Sequence, residues 1–277
     1  MNTHIELLIW FFLGLSVILL FFHRKKEGIF FVITSLVTAF IADRITISAA
    51  LLVLLGFAIA ASIPKLQFHI RTLAYAVLTA WCVALYEHWV PGISNLLILK
   101  SVHAGPQSAP FSMYLNLDKP LIFCALAVCW AKLFGSGKTF RIRPLLAAAT
   151  GLFCMLMVAW ALGSIRPEIM LPSWWWIFAL NNLLFTCIAE EALYRGYIQE
   201  GLKGIIGLWP ALIIASILFG ISHYHGGILL IAFATVAGLF YGMAFQYSSR
   251  LWVAVLYHFL FNFSHLFFFT YPSAIHS

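Results

Sequence analysis

Charge is what this sequence lacks. Only 9% of its 277 residues are Asp, Glu, Lys or Arg, whereas a water-facing domain carries about a quarter. Together with 63% hydrophobic residues and a mean hydropathy of +0.99, that shortage excludes a soluble globule, a disordered chain and a secreted disulfide scaffold. Cysteine is scarce as well. The five, Cys82, Cys124, Cys129, Cys154 and Cys187, lie inside apolar runs without CxxC spacing, so neither a disulfide framework nor a thiolate metal site is signalled. HExxH is absent, and no Ser or Cys has the spacing of a nucleophile elbow or a Cys–His pair. Acidic residues number nine against sixteen basic ones, giving +7 and a pI near 9.3. In a soluble chain that balance is a nucleic-acid footprint; in a membrane protein it marks Lys- and Arg-rich cytoplasmic loops, and no nucleic-acid partner is expected.

What remains are long apolar runs, at about 5–22, 28–42, 45–63, 72–90, 120–135, 144–163, 174–194, 207–223, 228–247 and 251–271. Most approach the ~20 residues that cross ~30 Å of hydrocarbon as helix, and irregular backbone cannot face lipid. The expected class is therefore all-α, a polytopic integral membrane bundle of about 8–10 transmembrane helices, with the bilayer as its solvent. The first run is followed, not preceded, by His23-Arg24-Lys25-Lys26, so it reads as a span rather than a cleaved signal peptide. With ten spans, twelve of the sixteen basic residues sort to one side, leaving Arg44, Lys100, Lys119 and Arg166 opposite. That bias puts 132–143 in the cytoplasm and both termini and 91–119 outside it. Trp174-Trp175-Trp176 reads as an outer interfacial belt.

Ionisable side chains inside a span cost roughly 2.5–3.5 kcal/mol each on the lenient insertion scale. Seven of the nine acids stand at or near span ends, where water suffices; Glu190 and Glu191 stand within a span, side by side. Helical spacing places Arg195 on the Glu191 face and points Glu190 about 100° away, so Glu191 is expected to be paired and Glu190 free. Two later spans carry Phe219 with His223 and His258 with Asn262, each pair sharing a helix face. A lone glutamate pair could be an ion pair that fixes helix packing, and a lone histidine a satisfied core residue. Two Glu, two His, an Arg and an Asn in three consecutive hairpins instead suggest a polar cavity that supports water activation and hydrolysis. Counting 1.5 Å per residue puts Glu190 about 21 Å below the Trp176 belt, near the cytoplasmic leaflet. His223, on a helix entered at Trp209, falls about 12 Å too far out; either that helix begins outside the bilayer, or Tyr224-His225-Gly226-Gly227 turns within it.

The order Glu190-Glu191-x-x-x-Arg195-Gly196, Phe219-x-x-x-His223, His258-x-x-x-Asn262 on successive segments resembles the CPBP family, which includes type II CAAX prenyl endopeptidases and bacteriocin-processing, Abi-type intramembrane proteases. Gly238-x-x-x-Gly242 and Leu251-Trp252 add to the likeness, which covers about 175–265. It divides the chain into N-terminal transmembrane helices of unassigned role, 1–170, and a catalytic core, 171–277. The resemblance implies that Glu190 and His223 activate the attacking water, that Arg195 braces the second carboxylate, Glu191, and that His258 and Asn262 stabilise the oxyanion. It implies an intramembrane endopeptidase, in the cytoplasmic membrane if the host is a bacterium, cutting a membrane-associated peptide or protein, prenylated where the host prenylates. No cofactor is firm; zinc held by Glu191, His223 and His258 is the alternative. Rival functions are a non-catalytic scaffold or bacteriocin-immunity factor of the same fold, and a proton-coupled transporter, against which the crowding of the motifs into one half of the chain counts.

Overall fold

The computed structural model describes residues 3–275. The fold is all-α, as the sequence predicts, with one two-stranded hairpin added. The helices are α1 (Thr3–Phe21), α2 (Lys25–Ile41), α3 (Ile47–Ser62), α4 (Phe68–Tyr86), α5 (Asp118–Cys129), α6 (Ile142–Ala161), α7 (Trp175–Ile206), α8 (Leu208–Ile221), α9 (Gly227–Ser248) and α10 (Leu251–Phe268). Among the described residues, six helices are long and apolar enough to cross a membrane: α3 with its trailing turn, α4, α6, α7, α9 with its leading turn, and α10. Two more, Ile5–Phe21 and Leu208–Ile221, are apolar but shorter. Ile47, Leu51 and Leu55 on α3 are each more than half exposed, a stripe at i, i+4, i+8 that suits lipid and not water.

Two compact units interleave along the chain. The first comprises Met1–Leu96, Leu115–Ala131 and Leu184–Leu193. In it α1 and α2 form a tight hairpin: a Cβ on Gly28 would stand 2.5 Å from the Leu20 side chain, and Ser35 Oγ donates to the Ile9 carbonyl at 2.9 Å. Likewise Gly56 leaves room for the Trp81 indole, whose Nε1 donates to the Leu52 carbonyl. The run at 120–135, read as a span, is here α5, twelve residues of which ten are buried. At about 18 Å it is too short to cross hydrocarbon, and a helix apolar all round is equally suited to a protein interior.

The second unit comprises Leu97–Tyr114, Lys132–Leu183 and Tyr194–Ser277. Part of the segment read as an external loop pairs as β1 (Leu96–Val102) with β2 (Phe111–Leu115). Its tip is tied down by Glu168, whose carboxylate accepts from Gln107 N–H and Ser108 Oγ. In the same unit α8 and α9 form a close hairpin, since a Cβ on Gly220 would overlap Thr235. A turn does form at Tyr224–Gly226, with Gly227 at φ +81°, and α8 stops at Ile221, short of His223. The other boundary that moves is the end of α7, expected near 194 and found at Ile206, where Gly207 at φ +86° ends the helix.

The sidedness expected from the basic residues has a direct check. Gln107 is exposed at the hairpin tip and Ser136 is exposed between α5 and α6. In a chain whose exposed Cys154 is replaced by Ser, Gln107→Cys is expected to react with an impermeant thiol reagent in intact cells and Ser136→Cys to be protected. The opposite pattern would invert the topology.

Candidate active site

The acidic pair sits where α7 is least regular. An α-helical turn, Ile188–Glu191, lies between two π-helical stretches, Asn182–Cys187 and Ala192–Gln199, and such wide turns recur at functional sites. In the first unit Glu190 is 3% exposed and Glu191 fully buried. A carboxylate removed from water needs a counter-charge or donors, and Glu190 has both. Tyr86 Oη donates to its Oε1 at 3.0 Å, and Lys119 Nζ lies 3.6 Å from the same oxygen. The ammonium also stands 4.2 Å from the centroid of the Tyr86 ring, a cation–π contact.

Two expectations are thereby corrected. Glu190 is not the free member of the pair, and it does not lie at the far end of this unit. Its partners are the last residue of α4 and the first turn of α5, the two ends joined by the segment read as external.

In the second unit three motif residues, Arg195, His223 and His258, gather on one aromatic ring. Phe219 has the Arg195 guanidinium 4.6 Å from its centroid, the His223 ring at 4.8 Å and the His258 ring edge-to-face at 5.7 Å. Tyr194 and Tyr241 complete the enclosure of Arg195, which is fully buried and donates from Nη2 to the Gly238 carbonyl at 3.3 Å. His258, 4% exposed, stacks on Tyr241 at 4.5 Å with ring planes 15° apart. His223 Nδ1 lies 2.8 Å from the Phe219 carbonyl. A carbonyl only accepts, so Nδ1 carries the hydrogen and, in the neutral ring, Nε2 carries the lone pair. Asn262 Nδ2 donates to Asn182 Oδ1 at 3.3 Å.

The glycines of Gly238-x-x-x-Gly242 explain how these groups come so close. A Cβ on Gly238 would press on Ser216 and Phe219, and one on Gly242 would meet the Gln199 amide at 2.7 Å. Small residues one turn apart let α9 approach α7 and α8. They also bare the carbonyls that Arg195 and Gln199, themselves four apart, take up at Gly238 and Gly242. Gly196 serves the same end, because a Cβ there would stand 2.6 Å from the Leu133 carbonyl oxygen.

Zinc needs three or four ligands within about 2.0–2.3 Å of one ion. His223 has the tautomer of a ligand, its Nδ1 fixed by a carbonyl. Yet among the described residues no group of three or more His, Cys, Asp or Glu is disposed to hold a metal ion, so no step below passes through one.

Helices of membrane length that bury an acid pair in one unit, and an arginine and a histidine in the other, define a polytopic membrane protein, the class in which membrane-embedded enzymes and transporters fall. Residues 172–264 match the model for type II CAAX prenyl endopeptidase Rce1-like proteins, in keeping with the family that the sequence motifs resemble. Comparisons with curated proteins and with solved structures give no match. The matched segment is about a third of the chain and contains all six motif residues; Tyr86 and Lys119 lie outside it.

Sequence reasoning missed Tyr86, Lys119, Tyr241, Asn182 and Gln199. Gln199 had a visible signal, its position four residues beyond Arg195. Lys119, just before an apolar run, looked like any residue at a span end.

Proposed function

We propose that this protein is an intramembrane endopeptidase that hydrolyses a peptide bond of a membrane-associated substrate by activated water. The observation that carries the reading is a buried carboxylate, Glu190, held by Tyr86 and Lys119 within the segment of endopeptidase type. In this mechanism Glu190 takes a proton from water as the oxygen attacks the scissile carbonyl, and the Nε2 lone pair of His223 orients the same water. His258 and Asn262 donate to the developing oxyanion; the Asn262 amide has two N–H groups, of which Asn182 takes one. The tetrahedral adduct then collapses, the C–N bond breaks, and the proton on Glu190 passes to the leaving amine. Glu191 is the second essential carboxylate, braced by Arg195. The substrate class is a lipid-anchored or membrane-inserted peptide, a prenylated CAAX-type protein where the host makes one, and in a bacterium a leader or membrane-protein segment met at the cytoplasmic membrane.

The test is cleavage of membrane-anchored reporter peptides by the purified protein, with products identified by mass. Cleavage is expected, and chelators are expected to leave it unchanged. Elemental analysis finding about one zinc per chain, lost with activity on chelation and restored by zinc, would replace this mechanism with a metal-dependent one. A folded protein that cuts no member of a broad reporter panel would support the scaffold or immunity-factor reading.

A further inference from the structure

Two groups that contact Glu190 Oε1, Tyr86 and Lys119, come from the part of the chain with no family match, and we propose that they are positioning residues for the water-activating step, an inference that rests on the endopeptidase reading above. Two donors on one oxygen, a hydroxyl at 3.0 Å and an ammonium at 3.6 Å, fix the plane of the carboxylate. A general base must meet its water within hydrogen-bond reach and in a set orientation.

Lys119 is held in place more firmly than a lysine at a span end would be. Such a residue ordinarily extends its stem and leaves its head in water. Here the side chain is only 17% exposed, and the backbone on either side of it is tied down. Asp118, 2% exposed, accepts from Lys119 N–H and from Asn95 Nδ2 on Oδ1, and from His88 Nδ1 on Oδ2. Asn95 Oδ1 in turn accepts from Leu117 N–H at 2.8 Å. From Pro120 to Ala127 every residue of the helix is buried. The ammonium therefore lies between a ring face and a carboxylate because the cluster His88, Asn95, Asp118 aims it there. Its charge offsets that of Glu190 where water does not. Residues 1–170, which no motif explained, thus acquire a part in the chemistry: they set the orientation and charge balance of a base supplied by α7.

A structural ion pair would tie α7 to α4 and α5 without affecting turnover, so the test separates anchoring from positioning. In infrared difference spectra of wild type against Glu190→Gln, the carboxyl bands of Glu190 are expected to shift when Lys119→Met or Tyr86→Phe is introduced. Unshifted bands overturn the proposal, and this arm needs no substrate. With a reporter peptide, Lys119→Met is expected to lower kcat about 10- to 100-fold with KM unchanged, the scale on which misplacing a reacting group acts. Lys119→Arg, which keeps the charge and the reach, is expected to recover most of the loss. A folded Lys119→Met enzyme turning over at the wild-type rate, beside an inactive Glu190→Gln, sinks this inference alone. Wild-type turnover by Glu190→Gln itself sinks the endopeptidase reading and this inference with it.

Discussion

Glu190→Gln is expected to end peptide hydrolysis, with a fall in kcat of about 100- to 10,000-fold, the range that a positioned acid–base group supplies. The amide keeps the volume of the carboxylate, and its carbonyl oxygen can still accept from the Tyr86 hydroxyl. It cannot take a proton from water. Losing one partner of a buried pair would ordinarily cost several kcal/mol, but the amide oxygen remains an acceptor for the ammonium, and Lys119 retains the face of the Tyr86 ring. The thermal midpoint is therefore expected to stay close to that of wild type while turnover is lost. Initial rates on a reporter peptide, measured beside a melting curve for both proteins, check the two halves together. Full turnover by the folded variant would remove Glu190 from the mechanism.

The features legible in the sequence share one property: a charge or an imidazole in an apolar run stands out against its neighbours. Glu190, Glu191, Arg195, His223, His258 and Asn262 were all found that way, and the family match covers every one of them. Features that depend on contacts distant in the chain gave no such contrast. Tyr86 meets Glu190 across 104 positions, and a tyrosine near the end of an apolar run is unremarkable by composition. Hydropathy likewise cannot tell a helix that faces lipid from one enclosed by protein, which is why α5 was read as a span. The π-helical turns of α7 have no pattern signal, yet they change the angular register assumed along that helix. Phe219 was legible only as a face partner of His223; that one ring gathers Arg195 and both histidines follows from the α8–α9 hairpin, set by glycines whose role appears only when a Cβ is placed on each.

Arg195→Ala should be the most damaging single change to the second unit. The guanidinium is fully buried among Tyr194, Phe219 and Tyr241 at 5.8, 4.6 and 5.6 Å from their centroids. A desolvated cation–π contact is worth about 2 kcal/mol, and truncating a large side chain in a close-packed site adds a cavity. The sum is on the order of 3–5 kcal/mol, or roughly a 10 °C fall in thermal midpoint for a chain of this size. Activity should fall further than stability accounts for, because the rings that relax into the space are those on which His223 and His258 rest: Phe219 for both, and Tyr241 for His258. Arg195→Lys separates the two effects. It keeps a charge among the rings but loses the planar fork that reaches the Gly238 carbonyl while stacking on Phe219, so stability is expected to recover in part and turnover less. Melting curves and initial rates on the three proteins decide it: an Arg195→Ala midpoint equal to wild type would show that the guanidinium is not enclosed as described, and full turnover by that variant would show that the aromatic cluster does not hold the histidines in place.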